Sequence, residues 1–86
     1  MVEKTVVVQN ETGLHARPAS GFVKEASKCK CEVSLRKNEK TINAKSMLGV
    51  LSLGINKGSE VTIVTNGADE VEALDRLVSF VENLKD

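Results

Sequence analysis

From Val2 to Val8 the chain is short, apolar and rich in β-branched residues, and the turn-forming run Gln9-Asn10-Glu11-Thr12-Gly13 ends it, which predicts a strand followed by a loop. Over residues 16–27 the period changes: Ala16, Ala19, Phe22, Val23 and Ala26 recur at steps of three and four, the spacing of a helix with one buried face. Residues 30–36 alternate, with Val33 and Leu35 on one face. Residues 40–44 repeat the alternation with Ile42 and Ala44, so the pair reads as a hairpin around Lys37-Asn38-Glu39-Lys40. Ser46 then stands where an N-cap belongs, ahead of the apolar segment from Met47 to Leu53, with Gly54 or Gly58 as the stop of a short second helix. Residues 60–65 alternate around Val61 and Ile63 as a fourth strand, and Asn66-Gly67 turns the chain. A last helix is predicted to open with Asp69 and Glu72 as a capping box and to run through Val71, Leu74, Leu77, Val78, Val81 and Leu84.

The series is βαββαβα, without repeats or linkers. Strands with one apolar face need helices stacked on that face, so the expected fold class is α+β, an open-faced two-layer sandwich. Eighty-six residues make one domain, 1–86, and a chain of this size buries only about 60 to 65% of its unfolded surface, too little for a large interior pocket. Twelve basic and twelve acidic residues cancel, so no global field draws the chain to nucleic acid or anionic lipid. Two Phe with no Trp or Tyr leave no platform for stacked bases. No segment approaches a membrane span, and Met1-Val2-Glu3-Lys4 lacks the pattern of a leader, so the expected location is the cytoplasm without membrane insertion. Cys29 and Cys31 do not have the C-x-x-C spacing of redox or zinc sites and read as two isolated thiols; no metal or cofactor is expected.

The single histidine and the single proline fall together in Thr12-Gly13-Leu14-His15-Ala16-Arg17-Pro18-Ala19. Gly13 can take a positive φ and turn the chain, and Pro18 fits the first turn of a helix, where its missing N–H costs nothing. His15 is therefore expected at a helix N-terminus. There the backbone amides of Ala16 and Arg17 and the helix dipole favour an anion, and the Arg17 guanidinium adds a fork that can grip a phosphate. Neutral imidazole is a nucleophile near pH 7, so the pattern points to phosphoryl transfer to His15. Taken singly, His15 reads more readily as a surface residue or cap than as a catalyst, Arg17 as an exposed helix-start side chain, and Ser46 as an N-cap and nothing more.

Gly13-Leu14-His15-Ala16-Arg17-Pro18-Ala19 resembles the active-site signature of HPr, the histidine-containing phosphocarrier of the bacterial sugar phosphotransferase system. Ala44-Lys45-Ser46-Met47-Leu48-Gly49-Val50-Leu51-Ser52-Leu53-Gly54 resembles that family's regulatory serine and the short helix after it. The resemblance implies a four-stranded antiparallel sheet in the order 1-4-2-3 with three helices on one face. It also implies that His15 accepts a phosphoryl group on Nδ1 from enzyme I and passes it to sugar-specific enzyme IIA domains, with Arg17 stabilising the phosphate. Such a chain is a covalent intermediate in phosphotransfer and not a stand-alone turnover enzyme, and it is expected to be a monomer. Ser46 would be the substrate of an HPr kinase/phosphorylase, the Gly49 and Gly54 context resembling the serine-regulated version of the system, and a catabolite-control transcription factor is a further expected partner. One departure is the turn: Asn38-Glu39 replaces the family's common Asn-Gly, and Glu39 would be strained if the turn required a positive φ there.

Met47, Leu48 and Leu51 lie at helical spacing and read first as core. A helix this short cannot bury every apolar side chain, and the exposed remainder would be a docking surface for partner enzymes, as the resemblance implies. Three other functions stay open. One is a regulatory HPr-like protein acting mainly through Ser46, although such relatives lack the histidine that this chain keeps. Another is a small metal-binding or interaction module using Cys29 and Cys31. The third is a small hydrolase with His15 as base, for which no Ser or Cys nucleophile has a supporting context.

Overall fold

Alternation with a period of two becomes one antiparallel sheet in the computed structural model, which describes residues 1–84. Its strands are β1 (Val2–Val7), β2 (Glu32–Lys37), β3 (Lys40–Asn43) and β4 (Glu60–Asn66), paired in the order β1-β4-β2-β3. The register sets Val6 opposite Val61 and Leu35 opposite Ile63, so the apolar positions of neighbouring strands fall on one face. Helices α1 (Ala16–Lys28), α2 (Met47–Ser52) and α3 (Glu70–Glu82) cover that face. Ala19, Phe22 and Ala26 of α1, Val50 of α2, and Ala73, Leu77, Val78 and Val81 of α3 meet Val33, Leu35, Val61 and Ile63 of the sheet in a single core. The other sheet face is polar: Arg36 pairs with Glu3 at 3.0 Å, and the Thr5 and Thr62 hydroxyls share a hydrogen bond of 2.8 Å.

Helix α1 approaches α3 through Gly21, where a Cβ would stand 2.8 Å from the Phe80 ring, and Phe80 meets Phe22 edge-on with centroids 6.1 Å apart. Such close approach is how a core with two aromatic rings fills its space.

One open local expectation, the hairpin turn, is settled and four others are corrected. The hairpin turn places its positive φ on Asn38 alone, at 57°, and Glu39 is unstrained; type I′ would need both residues there. Asn tolerates this conformation because its short polar side chain bonds locally. The capping box of Asp69 and Glu72 does not form, since Asp69 makes no side-chain bond to its own helix. Its carboxylate instead accepts from the Lys30 and Cys31 amides at 3.0 and 2.9 Å. Those two amides are thereby withdrawn from the ladder, which is why β2 begins at Glu32 and not at residue 30. Val71, placed in the apolar series, is 60% exposed, and α3 stops at Glu82 with Leu84 beyond it against the core.

Asp69 thus clamps the start of α3 to the chain entering β2. The Lys30 amide first, and then the Cys31 thiol, hold its carboxyl below the usual carboxylate range. A depressed folded-state value means stability that is present above the ordinary carboxylate pKa and is lost as pH falls through the lowered one. Asp69→Asn is expected to lower the melting temperature by a few degrees at neutral pH, and the gap to the parent should close as the solution is acidified below the carboxylate range. A gap independent of pH in melting curves would mean that the carboxylate charge contributes nothing.

Candidate functional site

The loop after β1 is built to deliver one side chain to one helix end. The β1–β4 ladder continues one residue past β1, where the Val8 amide donates to Ser59 O at 2.9 Å and Val8 O accepts from the Gly58 amide at 2.7 Å. Gly13 then turns the chain at φ 62°, with its amide donating to Asn10 O at 3.2 Å and its carbonyl accepting from Asn10 Nδ2 at 2.9 Å. Leu14, nearly fully buried, plugs the core, and its amide donates to Ile55 O at 3.1 Å. The turn lies so tightly on the loop at 55–56 that a Cβ at Gly13 would collide with Ile55 O and stand 2.7 Å from Asn56 Cα. Only glycine combines that φ with that approach.

His15 is consequently the N-cap of α1, extended at φ −84° and ψ −163°, with its carbonyl taking the Ala19 amide at 2.8 Å. Its ring makes no capping bond and is exposed, and Nε2 lies 3.1 Å from Asn56 Oδ1. The amides of Ala16 and Arg17 belong to the first turn and have no acceptor within the helix, and Pro18, third in α1, has no N–H to leave unpaired. Among the described residues Arg17 is exposed and has no ion pair or hydrogen bond, so its guanidinium is available to an anion. The structure therefore brings together the His15 ring, two helix-start amides and the start of α1 that carries Arg17.

Ser46 lies elsewhere. It is the N-cap of α2, its Oγ accepting from the Gly49 amide at 3.1 Å. The neighbouring Lys45 ammonium donates to Cys29 O at 2.9 Å, which ties this end of α2 to the C-terminal end of α1. The other end of α2 leads through Gly54, at φ 61°, into the loop that touches His15. Lys37 holds that end by donating to Gly54 O at 2.8 Å. Of the expected docking patch, Leu48 is 82% exposed and Leu51 40%, while Met47 is half-buried against the core and Val50 carries the packing. Cys29 and Cys31 are buried free thiols. Burial first, and then the Asp69 carboxylate, pushes the Cys31 thiol up to about 11, so it stays protonated at neutral pH.

The model of the PTS HPr component phosphorylation site matches residues 2–83. The chain belongs to the HPr family. Two HPr-like proteins named Crh are similar along nearly their whole length. That of Halalkalibacterium halodurans is 49% identical over 95% of this chain and 98% of its own, and that of Bacillus subtilis 46% identical over 95% and 96%. Among solved structures, HPr from Thermoanaerobacter tengcongensis superposes with a TM-score of 0.93 at 45% identity, covering 95% of this chain and 92% of its own. The crystal structure of Bacillus subtilis Crh, a swapped and intertwined dimer, superposes with a TM-score of 0.77 at 46% identity, covering 95% and 94%. These relatives confirm the fold and the strand order. They give no support to the expectation of a monomer, and by themselves they favour the regulatory reading over the carrier reading. No helix of the described residues is long and apolar enough to cross a membrane.

Two contributors were missed from sequence. Asn56 and Ser59 carry no local signal, since polar residues between Gly54 and Glu60 read as loop; only folding brings Asn56 to the histidine. Gly13→Ala would test how far the site depends on this contact. It is expected to lower stability by about 1 to 3 kcal/mol in urea denaturation, through the forced left-handed φ and the clash with residue 55. A parent-like midpoint would show that the loops can part without cost.

Proposed function

We propose that this HPr-family chain carries phosphoryl groups on two residues with separate consequences, His15 in transfer and Ser46 in regulation. The observation that supports transfer is the placing of an exposed imidazole at the start of α1, whose first two amides have no helical acceptor and which carries Arg17, exposed and without an ion pair among the described residues. In the proposed step a His15 ring nitrogen attacks the phosphoryl group of phosphorylated enzyme I. The first-turn amides and Arg17 hold the phosphate oxygens while the group moves, and a sugar-specific enzyme IIA later removes it.

The regulatory reading is supported by the similarity to two proteins named Crh, one of them described as the catabolite repression HPr of Bacillus subtilis. Ser46 already meets the Gly49 amide at the α2 start, and a phosphate there would carry about two negative charges to the edge of the surface formed by Met47, Leu48 and Leu51. That surface is proposed to dock enzyme I, and an anion at its rim costs desolvation when a partner covers it. The kinase that modifies Ser46 and a transcription factor that binds the product complete this reading. Retention of His15 speaks for keeping both roles.

Incubation with enzyme I and labelled phosphoenolpyruvate, beside incubation with an HPr kinase and labelled ATP, separates the two. The first label should be acid-labile and absent from His15→Ala; the second should be acid-stable and absent from Ser46→Ala. Transfer that survives in His15→Ala would overturn the carrier role, and a kinase label confined to other residues would overturn the regulatory one. Arg17→Ala should slow transfer from enzyme I by about tenfold or more, the loss of one charge-assisted contact worth about 1.5 to 3 kcal/mol, at an unchanged melting temperature. Equal rates in stopped-flow transfer would return Arg17 to an ordinary surface side chain.

A further inference from the structure

We infer that Asn56 is a positioning residue that sets the tautomer of His15, holding the ring proton on Nε2 so that Nδ1 presents its lone pair to the phosphoryl group. The inference rests on the carrier reading of His15 and adds to it the group that decides which nitrogen reacts. Asn56 Oδ1 has only lone pairs to offer, so the Nε2 atom 3.1 Å away must donate to it. A neutral imidazole has one N–H, and placing it at Nε2 leaves Nδ1 bare.

The acceptor is held from several sides. The Asn56 amide donates to Ser59 Oγ at 3.1 Å, and the Ser59 amide returns a bond of 3.0 Å to Asn56 O. One residue earlier Ile55 O takes the Leu14 amide at 3.1 Å; one residue later Lys57 pairs with Glu11 at 3.0 Å. The two loops are therefore joined on both sides of the exposed Asn56 and His15 contact, and the Asn56 backbone is held where its side chain can reach the ring. The choice of an amide over a carboxylate also fits. A carboxylate at this distance would favour the imidazolium, which has no lone pair, whereas an amide oxygen orients the ring without holding a second proton on it.

In the transfer step the Nδ1 lone pair forms the new bond to phosphorus as the bond from phosphorus to the donor atom of the phosphorylated partner breaks, and that electron pair returns to the donor. The Nε2 proton stays in place throughout. The positive character that develops on the ring is shared with Asn56 Oδ1, so no proton has to leave His15 for the group to arrive.

Long-range proton–nitrogen NMR correlations of the His15 ring, at a pH where it is neutral, read the tautomer directly. The parent should show almost wholly the Nε2–H form, Asn56→Ala should move toward the mixture of free histidine, and Asn56→Asp, which keeps an oxygen acceptor, should retain the Nε2–H form. In phosphorylation by enzyme I, Asn56→Ala should lose roughly three- to tenfold in maximal rate, as for one lost hydrogen bond, with the Michaelis constant unchanged. A parent ring in the Nδ1–H form, or a tautomer ratio that is the same in the parent and in a folded Asn56→Ala, overturns the proposal. A parent that shows the Nε2–H form yet takes no phosphate from enzyme I overturns the carrier reading instead, and leaves the hold of Asn56 on the tautomer standing.

Discussion

The contact between the turn at Gly13 and the loop from Gly54 to Ser59 is the constraint on which the candidate site depends. It is mostly backbone: Leu14 to Ile55 across the turn, and Val8 with Gly58 and Ser59 below it. Backbone bonds of this kind fix where α1 begins, because Leu14 must enter the core two residues before Ala16, the first helical residue. His15 then has no choice but to be the N-cap. Its side chain is left free of capping duty because nothing in its geometry turns it back toward the amides of the first turn.

A second fastening, on the far side of the molecule, solves a different problem. The chain leaving α1 has to cross to β2, and the two amides it exposes on the way are taken up by Asp69 at the start of α3. Gly67 makes room for this crossing, since a Cβ there would lie 2.8 Å from Cys31 Cα. Asp69, which after burial is the next cause of the raised pKa of the Cys31 thiol, thereby joins α3 to the α1–β2 connection, and the two buried cysteines serve packing around that joint.

Helix α2 lies between the two phosphorylation candidates. Ser46 caps its start, which is tied through Lys45 to the end of α1, whereas its other end feeds the loop against His15. A charge added at Ser46 therefore has no short route to the imidazole, and the effect proposed for it runs through the exposed Leu48 and Leu51 surface that a partner would have to cover. Lys37 and Lys40, donating to carbonyls at the far end of the helix, hold that surface at a fixed angle to the β2–β3 hairpin. A six-residue helix would be marginal alone, so its shape is a property of these tertiary bonds.

Periodicity alone determined the element series, because burial of one face imposes a period of two on Val33 and Leu35 and a period of three to four on Phe22 and Ala26, whatever the rest of the chain does. Gly13, Pro18 and Ser46 were equally legible, since a positive φ, a missing N–H and a capping hydroxyl are local demands that few residue types meet. The placement of His15 at a helix start followed from them. Tertiary structure decided what local rules could not reach. Asp69 and Glu72 have the spacing of a capping box, but two unpaired amides from the α1–β2 connection competed for the carboxylate and won. Val71 matched the helical period yet is exposed, because the buried face of α3 begins only at Ala73. Asn56 gave no sign of itself, 41 residues from the ring it meets. A hydrogen bond across that distance depends on two loops being brought together by strands β1 and β4, and no pattern within either loop encodes which side chain the other will present.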